Sequence, residues 1–214
     1  MKKGISLLRK LQYEELSKIK IDGKVLDLGG DRRSGYHELI AGDHQISVVN
    51  INKECEVDLN FNIEQAFPIG DGTYDAILCL NVLEHIFNYQ NVLNEGFRVL
   101  KRGGKFIGAT PFLFNVHGSP DDYFRYTKSA LEKMFKQAGF NDIVIRELGS
   151  GVFSALFQLK YGFYRFNFIR NLAMRFHVML DQILINKILK SIRPSHHLSA
   201  KKLPLGYFFI ASKQ

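Results

Sequence analysis

Between Pro111 and Thr127 the chain sets His117, Asp121, Asp122, Tyr123, Arg125 and Tyr126 on one proline-led loop. Imidazole titrates near neutrality, so His117 is the candidate general base for a hydroxyl or amine acceptor. Asp121 or Asp122 would orient it, and Arg125 would hold an anionic group on the acceptor. A plainer role stands beside this one. Asp122 and Arg125 pair to shape the loop, Tyr123 and Tyr126 are core, and Ser119-Pro120-Asp121 is a turn.

The second chemical stretch is Val25-Leu26-Asp27-Leu28-Gly29-Gly30-Asp31, running on to Gly35. Apolar residues, an acid, a glycine pair and a polar turn read as strand, tight turn and helix start. That is the opening of a nucleotide-binding α/β sheet. Gly29 and Gly30 let the backbone turn and let a ligand approach without a Cβ in the way. Asp27, at the strand's carboxyl end, would face that ligand. No Cys/His cluster has metal-ligand spacing, His196-His197 reads as a solvated pair, and no metal is expected. Glu84 reads as structural, and His85 either serves the site or hydrogen-bonds backbone.

The elements that must position these groups alternate. Helical apolar spacing over residues 5–20 predicts an N-terminal amphipathic helix. Strands are expected at 24–28, 45–51, 56–59, 74–80, 105–110, 142–148 and 206–212, and short helical pieces over 36–41, 92–100 and 127–138. Lys101-Arg102-Gly103-Gly104 reads as the stop of the helix before it. Tyr74 to Leu80 is nearly all apolar, as in a central parallel strand covered on both faces. The sum is a doubly wound α/β sheet whose last two strands are antiparallel partners.

The chain has 214 residues and a formal charge of +8. Residues 151–214 hold ten Lys/Arg against one acid, Asp181, so the basicity lies in that region. Cys55 and Cys79 make no disulfide framework, which points to a reducing, cytoplasmic compartment. The N-terminal apolar run is too short for a signal peptide, and no apolar run is long enough to span a bilayer.

Val25-Leu26-Asp27-Leu28-Gly29-Gly30, Tyr74 through Asn81-Val82-Leu83-Glu84-His85, Arg98-Val99-Leu100-Lys101-Arg102-Gly103-Gly104 and Pro111-Phe112 resemble class I S-adenosylmethionine-dependent methyltransferases, type-11 family. The likeness runs over about residues 20–148. It implies a Rossmann-like, doubly wound seven-stranded sheet with a helical insertion before the last strand. It also implies S-adenosyl-L-methionine as cofactor and S-adenosyl-L-homocysteine as product. By this resemblance Asp27, Gly29 and Gly30 line the methionine end, with Leu80, Asn81 and His85 beside it. Asn50 and Ile51 meet the ribose and adenine, and Asp58 and Leu59 lie near the adenine amino group. Asn50 stands where the family usually has an acid for the ribose diol, which an amide oxygen serves less well; Asn52 is the other candidate for that place. Asp31 replaces a usual glycine and brings negative charge.

One methyltransferase domain is therefore expected over 1–214, with an N-terminal helix (1–22), a cofactor-binding core (23–150), a basic aromatic helical insertion (151–204) and a final strand (205–214). In the insertion, Phe153 to Phe176 interleave with Lys160, Arg165, Arg170 and Arg175. Leu184, Ile185, Ile188, Leu189 and Ile192 form a stripe opposite Asn186, Lys187, Lys190 and Arg193. A helical cap over the acceptor pocket is favoured, with peripheral membrane contact through 151–200 as a secondary property. The basic residues are spread around the helix, which counts against both the membrane and the nucleic-acid readings, and nucleic acid is disfavoured. The expected activity is methyl transfer to O or N of a small-molecule, glycan or lipid-linked acceptor. The alternative is a weak or inactive methyltransferase-fold scaffold, sited in one version at a membrane surface.

Overall fold

The computed structural model describes residues 5–52, 54–118, 120–160, 166–192, 199 and 201–214, side chains of Asn186 and Lys190 excepted. Ser119, Tyr161, Phe163, Tyr164, Arg165, Arg193, His196 and His197, named above, lie outside the described residues. The chain divides into two compact units. One comprises Tyr13–Thr110, His117–Arg146 and Phe208–Gln214; the other comprises Met1–Gln12, Pro111–Val116 and Glu147–Tyr207.

An N-terminal helix α1 (Leu7–Leu16) precedes strands β1 (Gly23–Leu28), β2 (His44–Val49) and β3 (Tyr74–Leu80). Helix α2 (Tyr89–Val99), strand β4 (Leu100–Pro111), helix α3 (Lys128–Gln137), strand β5 (Asn141–Leu148) and strand β6 (Gly206–Ser212) follow. The sheet has six strands among the described residues, in the order β2-β1-β3-β4-β6-β5. β1 runs parallel to both neighbours, with Val25 opposite Ile46 on one side and Ala76 on the other. β3 and β4 are also parallel, Ile77 meeting Phe106. Val25, Leu26, Ile77, Leu78, Phe106 and Ile107 are fully buried, as strands covered on both faces require. From β1 the chain steps outward to β2, then returns past β1 to β3. This reversal opens a crevice at the strands' carboxyl ends, where such sheets bind ligands.

β6 runs against its neighbours. Gly103 N–H donates to the Lys213 carbonyl and Phe112 N–H to the Leu205 carbonyl, so β4 and β6 are antiparallel. Leu205 N–H also donates to the Leu148 carbonyl at the end of β5.

Three expectations need correction. The segment 56–59 is not a seventh strand: Leu59 makes only an isolated parallel bridge to Val49. The Asp58 carboxylate accepts the Val48 N–H at 2.7 Å, a donor that a neighbouring strand would otherwise pair. The helix expected over 36–41 is a pair of 3-10 turns, Arg32–Ser34 and Tyr36–Leu39. Gly35 separates them at φ +72°. The predicted helix stop Lys101–Gly104 belongs to β4 instead. The end of α2 is capped from far along the chain by Lys213, whose Nζ donates to the Phe97 and Leu100 carbonyls, each at 2.7 Å.

In the second unit, helices α4 (Val152–Leu159) and α5 (Asn167–Leu180) lead into a π-helical stretch, Asp181–Leu189, and a short α6 (Lys190–Ile192). The wider π turn rotates the expected stripe out of line. Ile185 is buried, but Leu184, Ile188 and Ile192 are exposed. Asp181 is fully buried, its two oxygens accepting the N–H groups of Phe153 (2.9 Å) and Ser154 (2.7 Å). It caps α4, whose own cap position, Gly151, has no side chain. Asp181→Ala is expected to lower stability by about 2 kcal/mol, measured by urea unfolding. Asp181→Asn should lose less, because its amide oxygen still serves one donor.

Candidate functional site

β1 delivers Asp27 and the glycine pair to the crevice. Gly29 sits at φ +74°, where a Cβ would lie 2.6 Å from Val82 Cγ2. Asp27 is fully buried beneath the loop. One carboxylate oxygen takes the Tyr36 hydroxyl and lies 2.7 Å from His37 Nε2; the other has no hydrogen-bond partner among the described residues. Burial pushes the Asp27 carboxyl above its ordinary value, against the hydrogen bonds from His37 and Tyr36. Asp27 therefore braces the loop from below instead of facing a ligand. Asp31 caps the first 3-10 turn through the Arg33 N–H (2.9 Å) and pairs with the Arg33 guanidinium, which holds its carboxyl well below the usual range.

Asn50 at the tip of β2 is also occupied. Its amide donates to the Gly29 carbonyl (3.2 Å) and the Gly30 carbonyl (3.0 Å), and its oxygen accepts the Asn52 N–H (2.9 Å). An asparagine stands here because two carbonyls need a donor, which a carboxylate cannot supply. Asp58 is tied up with Arg32 and the Val48 N–H.

Above these tips lies a cleft of about 550 Å3 including its open mouth, walled by Gly29, Asn50, Ile51, Asn81 and His85 from the expected set. Apolar walls with a few polar groups are the make-up of small-molecule sites. Phe61, Asn62 and Ile63 complete one wall, a contribution that the sequence reading missed. Their only sequence signal is an aromatic–amide–aliphatic run just after the second strand tip. Asp27, Gly30, Asp58, Leu59 and Leu80 do not line the cleft. Asn81 is one of two described non-glycine residues at positive φ (56°), in the left-handed region. Asparagine enters this region more readily than most side chains do.

A second cluster adjoins the first through His85. Leu83–His85 form a 3-10 turn, and the loop after β4 is hydrogen-bonded onto it. Tyr123 N–H donates to the Glu84 carbonyl (2.8 Å), Tyr126 hydroxyl to the Leu83 carbonyl (3.1 Å), and His85 Nδ1 lies 2.6 Å from the Asp121 carbonyl. His117 stacks edge-on against His85, with ring centroids 4.9 Å apart. Asp122 accepts the His117 N–H at 2.8 Å and lies 3.5 Å from its Nδ1. It also takes the Arg125 guanidinium in a two-pronged pair, which holds its carboxyl well below the usual range. Arg125 is thus engaged by Asp122, as the plainer sequence alternative has it, and the anion-holding role expected of it has no support. Asp122 shapes the loop through Arg125 and lies beside His117. Asp121 instead meets the Tyr123 hydroxyl through its side chain. Tyr126 is core, whereas Tyr123 is exposed. Glu84 is fully buried, and burial pushes its carboxyl up to about 8.

Comparison with known proteins agrees with this architecture. Residues 33–108 match the family described as "Methyltransferase domain". A SAM-dependent methyltransferase from Archaeoglobus fulgidus superposes with a TM-score of 0.59 at 17% identity, over 95% of this chain and 94% of that one. Phosphoethanolamine N-methyltransferase 2 of Haemonchus contortus, solved with S-adenosyl-L-methionine, gives 0.55 at 16% identity, over 94% of this chain. This chain spans 52% of that enzyme's length. An uncharacterized protein of Methanocaldococcus jannaschii is 55% identical over 40 residues, 19% of this chain and 17% of that protein. The matched segment and the shared sheet make this chain similar to methyltransferase-domain proteins, with which it shares the fold.

Proposed function

We propose that the protein transfers a methyl group from S-adenosyl-L-methionine to an oxygen or nitrogen of a small-molecule, glycan or lipid-linked acceptor. The observation that carries this reading is the open cleft at the β1/β3 crevice, with Gly29 and Asn81 both in left-handed backbone at its floor. Ile51 and Ile63 offer apolar walls for a flat base, and the Asn62 and Asn81 amides offer polar edges. Gly29, Asn50 and His85 would complete the hold. When bound, the cofactor supplies an electrophilic methyl group. His117 takes the acceptor's proton, Asp122 keeps the imidazole turned to the task, and the loop bonded to Leu83–His85 aligns the acceptor. Free Cys55 and Cys79 fit a cytoplasmic setting.

Calorimetry with the cofactor and its demethylated product tests the reading. Saturable heat is expected below about 1 mM ligand. No heat at that concentration would leave a scaffold bearing the family's fold. His117→Ala should leave product binding intact and slow formation of S-adenosyl-L-homocysteine by about 100-fold or more in single-turnover assays.

The helical unit supports a second property, peripheral contact with anionic membranes. Among the described residues no helix is long and apolar enough to cross a membrane. Phe168, Leu172, Phe176, Met179 and Ile183 are all exposed, spaced as one helical face. Lys160, Arg175, Lys187, Lys201 and Lys202 are exposed too, while the region's one acid, Asp181, is buried. This pairing of apolar face and cationic surface suits an anionic bilayer. The protein is expected to float with phosphatidylglycerol vesicles at low salt and to lose flotation in Phe168→Asp/Leu172→Asp. A dimer that buries this face, seen by sedimentation equilibrium, would overturn it.

A further inference from the structure

We propose that Glu84, His85 and His117 form a binding site for a divalent transition-metal ion. Each offers one ligand atom, and the three atoms lie within 4.8 Å of one another. Two imidazoles and one carboxylate are the donor set of many zinc and non-haem iron sites that keep open positions for another ligand.

The state of each donor points the same way. Glu84 is fully buried; its Oε2 accepts from the Thr110 hydroxyl at 3.3 Å. Its Oε1 is buried with no hydrogen-bond partner among the described residues. Orphaned carboxylate oxygens are costly, so something with positive charge or a proton belongs beside this one. His85 Nδ1 faces the Asp121 carbonyl at 2.6 Å. A carbonyl only accepts, so Nδ1 carries the proton and the lone pair of a neutral ring sits on Nε2. That Nε2 lies 3.8 Å from Glu84 Oε1, too far for a hydrogen bond. Two lone-pair atoms at this spacing stand a few tenths of an ångström wider than neighbouring ligands around a tetrahedral ion with bonds of about 2.1 Å, a gap that a small side-chain shift closes.

The surroundings are built as metal surroundings are. Ligating histidines turn their other nitrogen to a carbonyl or carboxylate, which fixes the ring. His85 does so with the Asp121 carbonyl, and His117 Nδ1 faces the Asp122 carboxylate. The Asp122–Arg125 pair neutralises a guanidinium close by. His85 also lines the cleft, so an ion held here borders the site proposed for the cofactor, and His117 is a ligand while the ion is bound and the acceptor's base only without it.

The test uses chelator-stripped full-length protein and Zn2+ in competition with a chromophoric chelator, followed by Co2+ absorption spectroscopy. One tight equivalent per chain is expected, with Co2+ giving ligand-field bands. Glu84→Gln and His117→Ala should each weaken binding by about tenfold or more. His117 is partly exposed, so its variant keeps the fold if Glu84→Gln does not. H196A/H197A, which removes the chain's adjacent histidine pair, should leave the affinity unchanged. The proposal is overturned if stripped protein takes up no Zn2+ at about 100 μM, or if the tight equivalent survives both cluster substitutions. Cofactor heat, read on the same protein without metal, keeps failure of this site separate from failure of the methyltransferase reading.

Discussion

Gly30→Ala is expected to lower stability by about 3 kcal/mol and to abolish detectable cofactor binding. A Cβ there would lie 2.0 Å from Asp27 Oδ2 and 2.9 Å from the Tyr36 hydroxyl. Neither can retreat, since Asp27 is fully buried and its oxygen is shared between Tyr36 and His37. The methyl must push the carboxylate off its partners, leaving a buried acid without compensation. Gly35→Ala is the matched control. Its Cβ meets nothing within 4 Å, so only the backbone at φ +72° resists, at about 1 kcal/mol. Urea unfolding with unchanged m-values separates the two. Equal losses would mean that the Asp27 cluster adds nothing beyond loop geometry.

Asn50→Asp carries the second large effect, and it runs against the family pattern. A carboxylate at this place accepts both hydroxyls of a ribose, so the change looks like a gain. Here it is expected to cost about 2 kcal/mol of stability and roughly tenfold in cofactor affinity. The Gly29 and Gly30 carbonyls lose the amide that donates to them at 3.2 and 3.0 Å, and face a negative charge instead. Asn50→Ala removes the donors without adding charge and should fall between wild type and Asn50→Asp. Tighter cofactor binding by Asn50→Asp at unchanged stability would return Asn50 to a ribose-binding role.

These two positions show how far reading the chain could go. The run Val25 to Gly30 announces a strand and a glycine turn through residue types alone, and both form. Leu83-Glu84-His85 and the His117–Tyr126 loop were each visible as chemical stretches. Nothing local said that they would meet, because their contact depends on β3 and β4 lying side by side. The seventh strand failed for a similar reason: Asp58 turns its side chain back to the Val48 N–H, an outcome that β-propensity does not encode. For Arg125 the sequence left open an anion-holding role or a pair with Asp122, and the fold forms the pair.

Residue order alone determined the six β-forming stretches that become β1 to β6 and the antiparallel pairing of the last two. Apolar periodicity and glycine placement are local signals, and burial follows from them. Tertiary structure alone decided the partners of the polar groups. Lys213 caps α2, Asp181 caps α4, Asn50 braces the glycine loop, and Glu84 faces His85 and His117. A hydrogen bond needs its two atoms within about 3 Å, a condition met only when distant segments have packed. Periodicity specifies which face turns inward; it carries no record of which donor will be waiting there.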